Sequence, residues 1–169
     1  MPKPDLQKVP LHLHEEIDLV ECEEIKEAFA KYANALVDLE NIPEEQWNYR
    51  YAEGKWNIKE VVQHVIDAER IFSNRALVIV RKDNTTRLVS FEEKDYAENS
   101  KAGKRSGNDL IEELRIVQLS SKKLFDSFDE EQLFTTGTVG NYEININTLG
   151  YVIIGHLLHH LKIIKERYF

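Results

Sequence analysis

The chain has 169 residues, of which 42% are hydrophobic and 31% are charged, and its formal net charge is −8. This length fits one domain, and the composition is typical of a folded globular protein rather than a disordered one. The negative charge disfavours nucleic acid as a partner, because an anionic protein repels the phosphate backbone. We therefore expect residues 1–169 to form a single domain, with an N-terminal arm over residues 1–14.

Apolar runs and cysteine content bear on the cellular compartment. We expect no membrane span, because the chain has no run of about 18 uncharged apolar residues. We also expect no secretory signal, because the first residues lack an apolar core followed by a cleavage site. Cys22 is the single cysteine, which precludes an intramolecular disulfide and is typical of a reducing compartment. These features predict a cytoplasmic protein.

Helical periodicity predicts four helices. Apolar residues recur at three- and four-residue steps in four segments, which are Glu15–Leu39, Ile58–Val80, Asn108–Phe128, and Asn147 or Thr148 nearly to Phe169. The second helix has a well-marked start, because Asn57 and Glu60 have the spacing of a capping box. Between the last two helices, Gly137, Gly140 and an alternating stretch over 142–146 predict a turn and a short extended segment. Four such helices predict an all-α fold, a four-helix bundle.

Three histidines lie on the apolar stripes of these helices. His156 and His160 are four residues apart in the fourth helix, so their rings project side by side, and His64 lies in the stripe of the second helix. His159 falls at the edge of the stripe. Each buried imidazole needs partners for two ring nitrogens. The pattern therefore allows two interpretations, a divalent metal site or a hydrogen-bonded polar network in the core.

Two segments carry a resemblance to a known family. The segment Trp56–Asp67, which contains His64, and the segment Gly155–His160, with its H-x-x-H-H pattern, together resemble the DinB/YfiT-like superfamily of metalloenzymes. Tyr51–Gly54 and Glu93–Tyr96 are also similar to that family, and the resemblance extends from Glu15 to the end of the chain. It implies a bundle in up-down-down-up order, with a long crossover between helices two and three.

The resemblance also implies a ligand set. In the family, one histidine of helix two and an H-x-x-x-H pair of helix four hold the metal, and these correspond to His64, His156 and His160. The family order makes helices two and four antiparallel. However, His64 and His156 lie at similar depths from their helix starts, which a parallel arrangement would match more simply. The sequence leaves this direction open.

Three neutral imidazoles would leave a divalent ion with an open coordination position, as catalytic sites require. The resemblance implies two reactions, and the leading hypothesis is a thiol S-transferase-like enzyme that acts on a small molecule, with a low-molecular-weight thiol as substrate. The first alternative is a hydrolase that uses metal-bound hydroxide. The second alternative is a non-catalytic module that binds a metal or a small molecule. The metal can be Zn, Ni, Fe, Co or Mn, because nitrogen-rich sites accept each of them.

Residues beside the histidines have separate predictions, and none is assigned as catalytic. Asp67, one turn after His64, is a candidate to accept the N–H of a ligating ring or to orient a bound water. Glu60 is assigned to the capping box, and Cys22 to packing. Arg75 lies within the apolar stripe of helix two, so we predict that it forms a buried ion pair with an acid of helix one or three.

The outer face of helix four predicts self-association. Four apolar residues, Tyr151, Ile154, Leu158 and Leu161, lie opposite the histidines. The N-terminal arm or the long connector could cover part of this face, but a second copy of the same helix offers more apolar surface. We therefore predict a homodimer with helix four at or near the interface, and the family resemblance implies the same.

Overall fold

The computed structural model describes residues 2–169, which are mainly α-helical. The helices are α1 (His14–Leu19), α2 (Ile25–Lys31), α3 (Val37–Glu40), α4 (Ile58–Val80), α5 (Glu93–Ser100), α6 (Gly107–Asp126), α7 (Glu130–Phe134) and α8 (Ile146–Arg167). An antiparallel hairpin joins β1 (Thr136–Val139) to β2 (Tyr142–Asn145). The segment α2–α3 and the long helices α4, α6 and α8 form a four-helix bundle.

Contacts between α4 and α6 fix their relative direction. Arg105, just before α6, donates to the Oε1 of Gln63 at 2.8 Å. Further along both helices, the hydroxyls of Ser73 and Ser121 lie 2.9 Å apart. Because residue numbers rise together on the two helices, α4 and α6 are parallel. The connector over 81–106 therefore crosses the length of the bundle, as the family resemblance implies.

α8 runs opposite to α4. The Oη of Tyr168, after the end of α8, donates to the backbone oxygen of Trp56, before the start of α4, at 2.6 Å. At the other end of the two helices, the hairpin that leads into α8 lies against the end of α4. A Cβ on Gly137 of that hairpin would lie 2.5 Å from the Cγ1 of Ile79 in α4. The antiparallel direction that the sequence left open is thus the one that the family order implies.

The first bundle helix is parallel to α8. Ile25, at the start of α2, lies against Gly150 near the start of α8. Leu39, in α3, lines the same groove as Leu161 in the second half of α8. With α4 and α6 running the other way, the order is up-down-down-up, which confirms the predicted fold.

The prediction of one continuous helix over Glu15–Leu39 is wrong, because the chain breaks between α1 and α2. Val20 and Cys22 are both buried while Glu21 between them is exposed, which is the alternation of an extended segment. Two side chains donate hydrogen bonds to the backbone of this extended segment. The Oη of Tyr151 donates to the backbone oxygen of Cys22 at 3.1 Å, and the Nζ of Lys3 donates to the backbone oxygen of Val20 at 2.8 Å. The chain reverses here, so α1 lies outside the bundle proper.

α1 packs on the outer face of α8. The backbones approach so closely that a Cβ on Gly155 would lie 2.0 Å from the backbone oxygen of Glu16. Tyr151 and Ile154, two of the four outer apolar residues of α8, are buried within the chain. Intrachain packing therefore covers part of the face on which the homodimer was predicted.

The other three helices follow the prediction closely. α4 has the predicted bounds, and both hydrogen bonds of the Asn57–Glu60 capping box are present. α6 and α8 begin one residue before their predicted starts, after the N-caps Ser106 and Asn145. The connectors contain elements that periodicity did not reveal, since α5 interrupts the first connector and α7 precedes the hairpin in the second. Gly140 makes the hairpin turn with a φ of 58°, confirming the predicted turn and extended segment.

Buried apolar residues form two clusters that meet along α8. One contains α1, α2, the hairpin and the first half of α8, and the other contains the first half of α4, much of α6 and the second half of α8. His156 follows Ile154 of the first cluster and precedes Leu157 of the second. No helix within residues 2–169 has the length and apolar character needed to span a membrane.

Candidate metal centre

The antiparallel crossing of α4 and α8 brings three histidines together. His64 lies in the second turn of α4, whose start the capping box holds in place. His156 and His160 lie on successive turns in the middle of α8 and face α4. Because all three sit on long helices rather than on loops, the backbone fixes their positions.

The three rings are close enough to share one ion. The Nε2 atoms of His64 and His156 are 3.1 Å apart. Ring centroids lie 4.9 Å apart for His64 and His156, 4.8 Å for His64 and His160, and 4.5 Å for His156 and His160. One nitrogen from each ring belongs to a group whose members all lie within 4.8 Å of one another. The structure thus brings together all three predicted ligands.

Aromatic side chains surround the cluster. The ring of Trp56 lies 5.0 Å from that of His64, and the ring of Phe72 lies 5.6 Å from that of His156. His64 and His156 are buried, at 2% and 8% exposure, whereas His160 is partly exposed. The site is therefore largely apolar, with His160 as its most accessible member.

Burial keeps all three imidazoles neutral at physiological pH. Desolvation lowers the pKa of His64 to about 4. Desolvation, together with the neighbouring His64 and His159, lowers the pKa of His160 to about 3. The pKa of His156 is lowered well below its usual range, first by burial and then by the other histidines. A neutral imidazole offers the lone pair that a metal ligand needs, so no proton has to be displaced at pH 7.

Hydrogen bonds within the chain do not satisfy this cluster. The Nδ1 atoms of His64 and His160 are buried and have no hydrogen-bond partner in the described part of the chain. A polar core network would be expected to pair these atoms, because an unpaired buried donor or acceptor costs about 1–3 kcal/mol. A divalent ion accepts one lone pair from each ring, and three imidazoles suit the borderline transition metals. The residues present therefore fit a metal better than they fit a closed network.

His159 lies apart from the cluster. Its Nδ1 is 3.5 Å from a carboxylate oxygen of Glu15 on α1, and it is not among the three grouped histidines. This agrees with its position at the edge of the stripe. His159 packs beside His160, at 5.2 Å between ring centroids, and makes a useful control for it.

Within residues 2–169, Asp67 makes no hydrogen bond with His64, which is one of the two roles predicted for this carboxylate; orienting a bound water stays a prediction. The Oδ1 of Asp67 accepts from the Nε2 of Gln63 at 3.0 Å, while the Nδ1 of His64 has no partner among residues 2–169. Burial is the main cause of the raised pKa of Asp67. Its carboxylate also interacts electrostatically with Arg70 of α4, with Glu113 of α6 and with Arg105 just before α6. One helical turn separates His64 and Asp67, but the carboxylate of Asp67 is hydrogen-bonded to Gln63 of the same helix.

The predicted ion pair of Arg75 is wrong, because Arg75 pairs with no acid of the described residues. Its Nη2 donates to the backbone oxygen of Val89 at 2.7 Å, and its guanidinium lies over the rings of Phe72 and Phe91. Arg75 thus anchors the long connector to α4. Cys22 is buried in the core, as its assignment to packing predicts.

Sequence reasoning missed one buried acid, Glu69 of α4. It is 3% exposed, and burial raises the pKa of its carboxyl to about 7. Asp67 and Arg70 flank it in the sequence, so it resembles part of a solvated face. Only the positions of α2 and α6 reveal that this part of α4 is covered.

Comparison with known proteins places the chain in a family context. Residues 27–164 match the family model of the DinB superfamily. No curated protein matches the chain. Among solved structures, YfiT from Bacillus subtilis aligns with a TM-score of 0.68 and 15% identity, over 97% of this chain and 90% of that chain. YfiT is described as "a probable metal-dependent hydrolase with an unusual four-helix bundle topology"; at this identity the likeness shows the fold alone.

Proposed function

This chain belongs to the DinB superfamily, and we propose that it is a metal-dependent enzyme in which His64, His156 and His160 hold one divalent transition-metal ion. One observation carries the proposal: three imidazoles on two helices, two of them buried and one partly exposed, group one nitrogen each within 4.8 Å. Their lowered pKa values add to it, because they keep the ligands deprotonated at neutral pH.

The side chains of the site have distinct roles in this proposal. When bound, the ion would supply Lewis acidity that lowers the pKa of water or of a thiol toward neutrality. The apolar surroundings from Trp56 and Phe72 limit water and so strengthen electrostatic interactions within the site. We expect substrate to approach from the side of His160, because that ring alone is partly exposed.

We propose hydrolysis of a small molecule as the reaction. Two findings support it, the description of YfiT as a probable metal-dependent hydrolase and the net charge of −8, which disfavours anionic thiols. Thiol S-transfer, the leading hypothesis from the sequence, remains a prediction for the same site. The two reactions need the same ligands and differ in the nucleophile.

A single set of assays separates these possibilities. Metal-free protein, protein reloaded with Zn, Ni, Fe, Co or Mn, and His156→Ala would each be given a panel of esters and amides, and separately a low-molecular-weight thiol with an electrophile. We expect turnover of an ester or amide that requires both the metal and His156. Turnover in the thiol arm alone would replace hydrolysis with S-transfer. A tightly bound metal with turnover in neither arm would support the non-catalytic module.

A further inference from the structure

A second cavity lies on a different side of α4 from the histidines. Glu69 is five residues after His64, which places it about 140° around the helix. The cavity has a volume of about 250 Å³ and lies between the first bundle helix, α4, α6 and α8. Phe29 and Tyr32 line one side of it, and Gln118 lines another.

Glu69 is the buried charged group of this cavity. It is 3% exposed, and among residues 2–169 its Oε1 has no hydrogen-bond partner. Burial raises the pKa of its carboxyl to about 7, and a hydrogen bond with Ser121 offsets only part of that effect. A buried carboxyl with an open oxygen costs free energy unless something pairs with it. The Oε1 of Gln118, which lines the same cavity, is also buried and unpaired.

The cations at the rim are already paired with acids outside the cavity. Arg115 forms an ion pair with Glu40, and Lys122 forms one with Asp126 at 2.6 Å. Neither ion pair involves Glu69. The cavity thus presents two unpaired acceptor oxygens beside two aromatic rings, and such rings attract cations through their faces.

We propose that this cavity binds a small organic ammonium ion, whose N–H groups donate to Glu69 and Gln118 while its carbon atoms pack on Phe29 and Tyr32. An ammonium group supplies several hydrogen-bond donors and a positive charge that can pair with the carboxylate of Glu69. The volume is sufficient for a ligand of a few heavy atoms. This site involves none of the proposed metal ligands and is independent of the proposed function.

Calorimetric titration of the full chain tests the proposal. The probes are methylammonium, n-butylammonium and benzylammonium, with n-butanol, benzyl alcohol and benzoate as matched neutral and anionic compounds. We expect saturable one-to-one binding of at least one ammonium probe, and much weaker binding of the corresponding alcohol. Glu69→Gln keeps the shape of the side chain and removes its charge, so it should weaken binding about tenfold or more.

Two further variants complete the test. Glu112→Gln removes an exposed carboxylate from α6 and should leave binding unchanged. Gln118→Leu removes the second acceptor from a different helix and should weaken binding even where Glu69→Gln fails to fold. The proposal is overturned if no ammonium probe binds, if an alcohol or benzoate binds as tightly, or if Glu69→Gln and Gln118→Leu both bind like wild type. If no ammonium probe binds, water would supply the hydrogen bonds to the Oε1 atoms of Glu69 and Gln118.

Discussion

His159 and His160 are neighbours on α8 with different environments, and this difference tests the ligand assignment. His160 belongs to the group of three close nitrogens, whereas His159 lies near Glu15 of α1. We predict that His160→Ala abolishes metal retention, because two imidazoles hold a divalent ion much more weakly than three do. His159→Ala should retain the metal nearly as wild type does. Metal analysis of both variants, purified without a histidine tag, makes the comparison, and equal losses would mean that the assignment of His160 is wrong.

Glu69 predicts a specific pH dependence of stability. Its pKa is about 7 in the folded chain against 4.5 for an unperturbed glutamate. Between these values the folded state binds more protons than the unfolded state, so this carboxyl destabilises the fold as pH rises from 4.5 through 7. Over the whole pH range, this shift lowers the free energy of unfolding by roughly 3 kcal/mol. We expect wild type to lose stability relative to Glu69→Gln between pH 5 and pH 8.

Urea denaturation of the two proteins at several pH values measures this difference. Subtracting one curve from the other removes the contributions of groups that both proteins share, including the three histidines. Parallel changes in the two proteins would contradict the raised pKa of Glu69.

Single residues also mark the limits of prediction from sequence. The three histidines could be predicted because a helical repeat places them on apolar stripes. The environments of Asp67, Arg75 and Glu69 could not be predicted. Asp67 accepts from Gln63 one turn away, Arg75 bonds the connector, and Glu69 is covered by α2 and α6. Helical periodicity shows which face a residue occupies but not which group its side chain will contact.

At the scale of elements, prediction succeeded where local signals agreed. α4 has a capping box, a long apolar stripe and no breaker, and its predicted bounds are those observed. The prediction of one continuous first helix failed at Val20 and Cys22. These two apolar residues are two positions apart, a spacing that is typical of an extended segment and interrupts the helical repeat. Its apolar residues therefore serve two elements that run in opposite directions, α1 outside the bundle and α2 within it.

The contact between α1 and α8 yields a prediction for Gly155. A Cβ at this position would lie 2.0 Å from the backbone oxygen of Glu16, and backbone cannot move aside as a flexible side chain can. We expect Gly155→Ala to destabilise the protein by about 2 kcal/mol or more. Gly103→Ala is the matched control, because its Cβ would meet nothing within 4 Å. Thermal or urea denaturation compares them, and equal stability of the two variants would contradict the close packing of α1.

For the whole molecule, the homodimer remains a prediction. The interface that we now expect is smaller than the full outer face of α8, because part of that face is covered within the chain. α1 and α2 already cover the first half of the outer face of α8. The apolar surface that remains is a groove lined by Leu158, Leu161, Leu39 and Phe169, of which Phe169 is 67% exposed. A two-fold axis near the second half of α8 would bury this groove against its own copy.

Light scattering at low micromolar concentration tests the dimer. We expect a mass twice the 19.8 kDa of one chain, and Leu161→Glu should shift it toward the monomer by placing a charge in the groove. Leu119→Glu, at an exposed position of α6, should leave the mass unchanged. A wild-type mass of 19.8 kDa would contradict the dimer and leave intrachain packing as the explanation for the apolar face.

We expect His64, His156 and His160 to share one metal ion. The most direct measurement is anomalous X-ray diffraction from crystals of the untagged protein, recorded at the absorption edge of the metal found by elemental analysis. We predict one strong anomalous peak per chain, at about 2.0–2.3 Å from a ring nitrogen of each of the three histidines. A metal-loaded crystal with no peak among these rings, or with its peak at other residues, would contradict the assignment of these three histidines as the metal ligands.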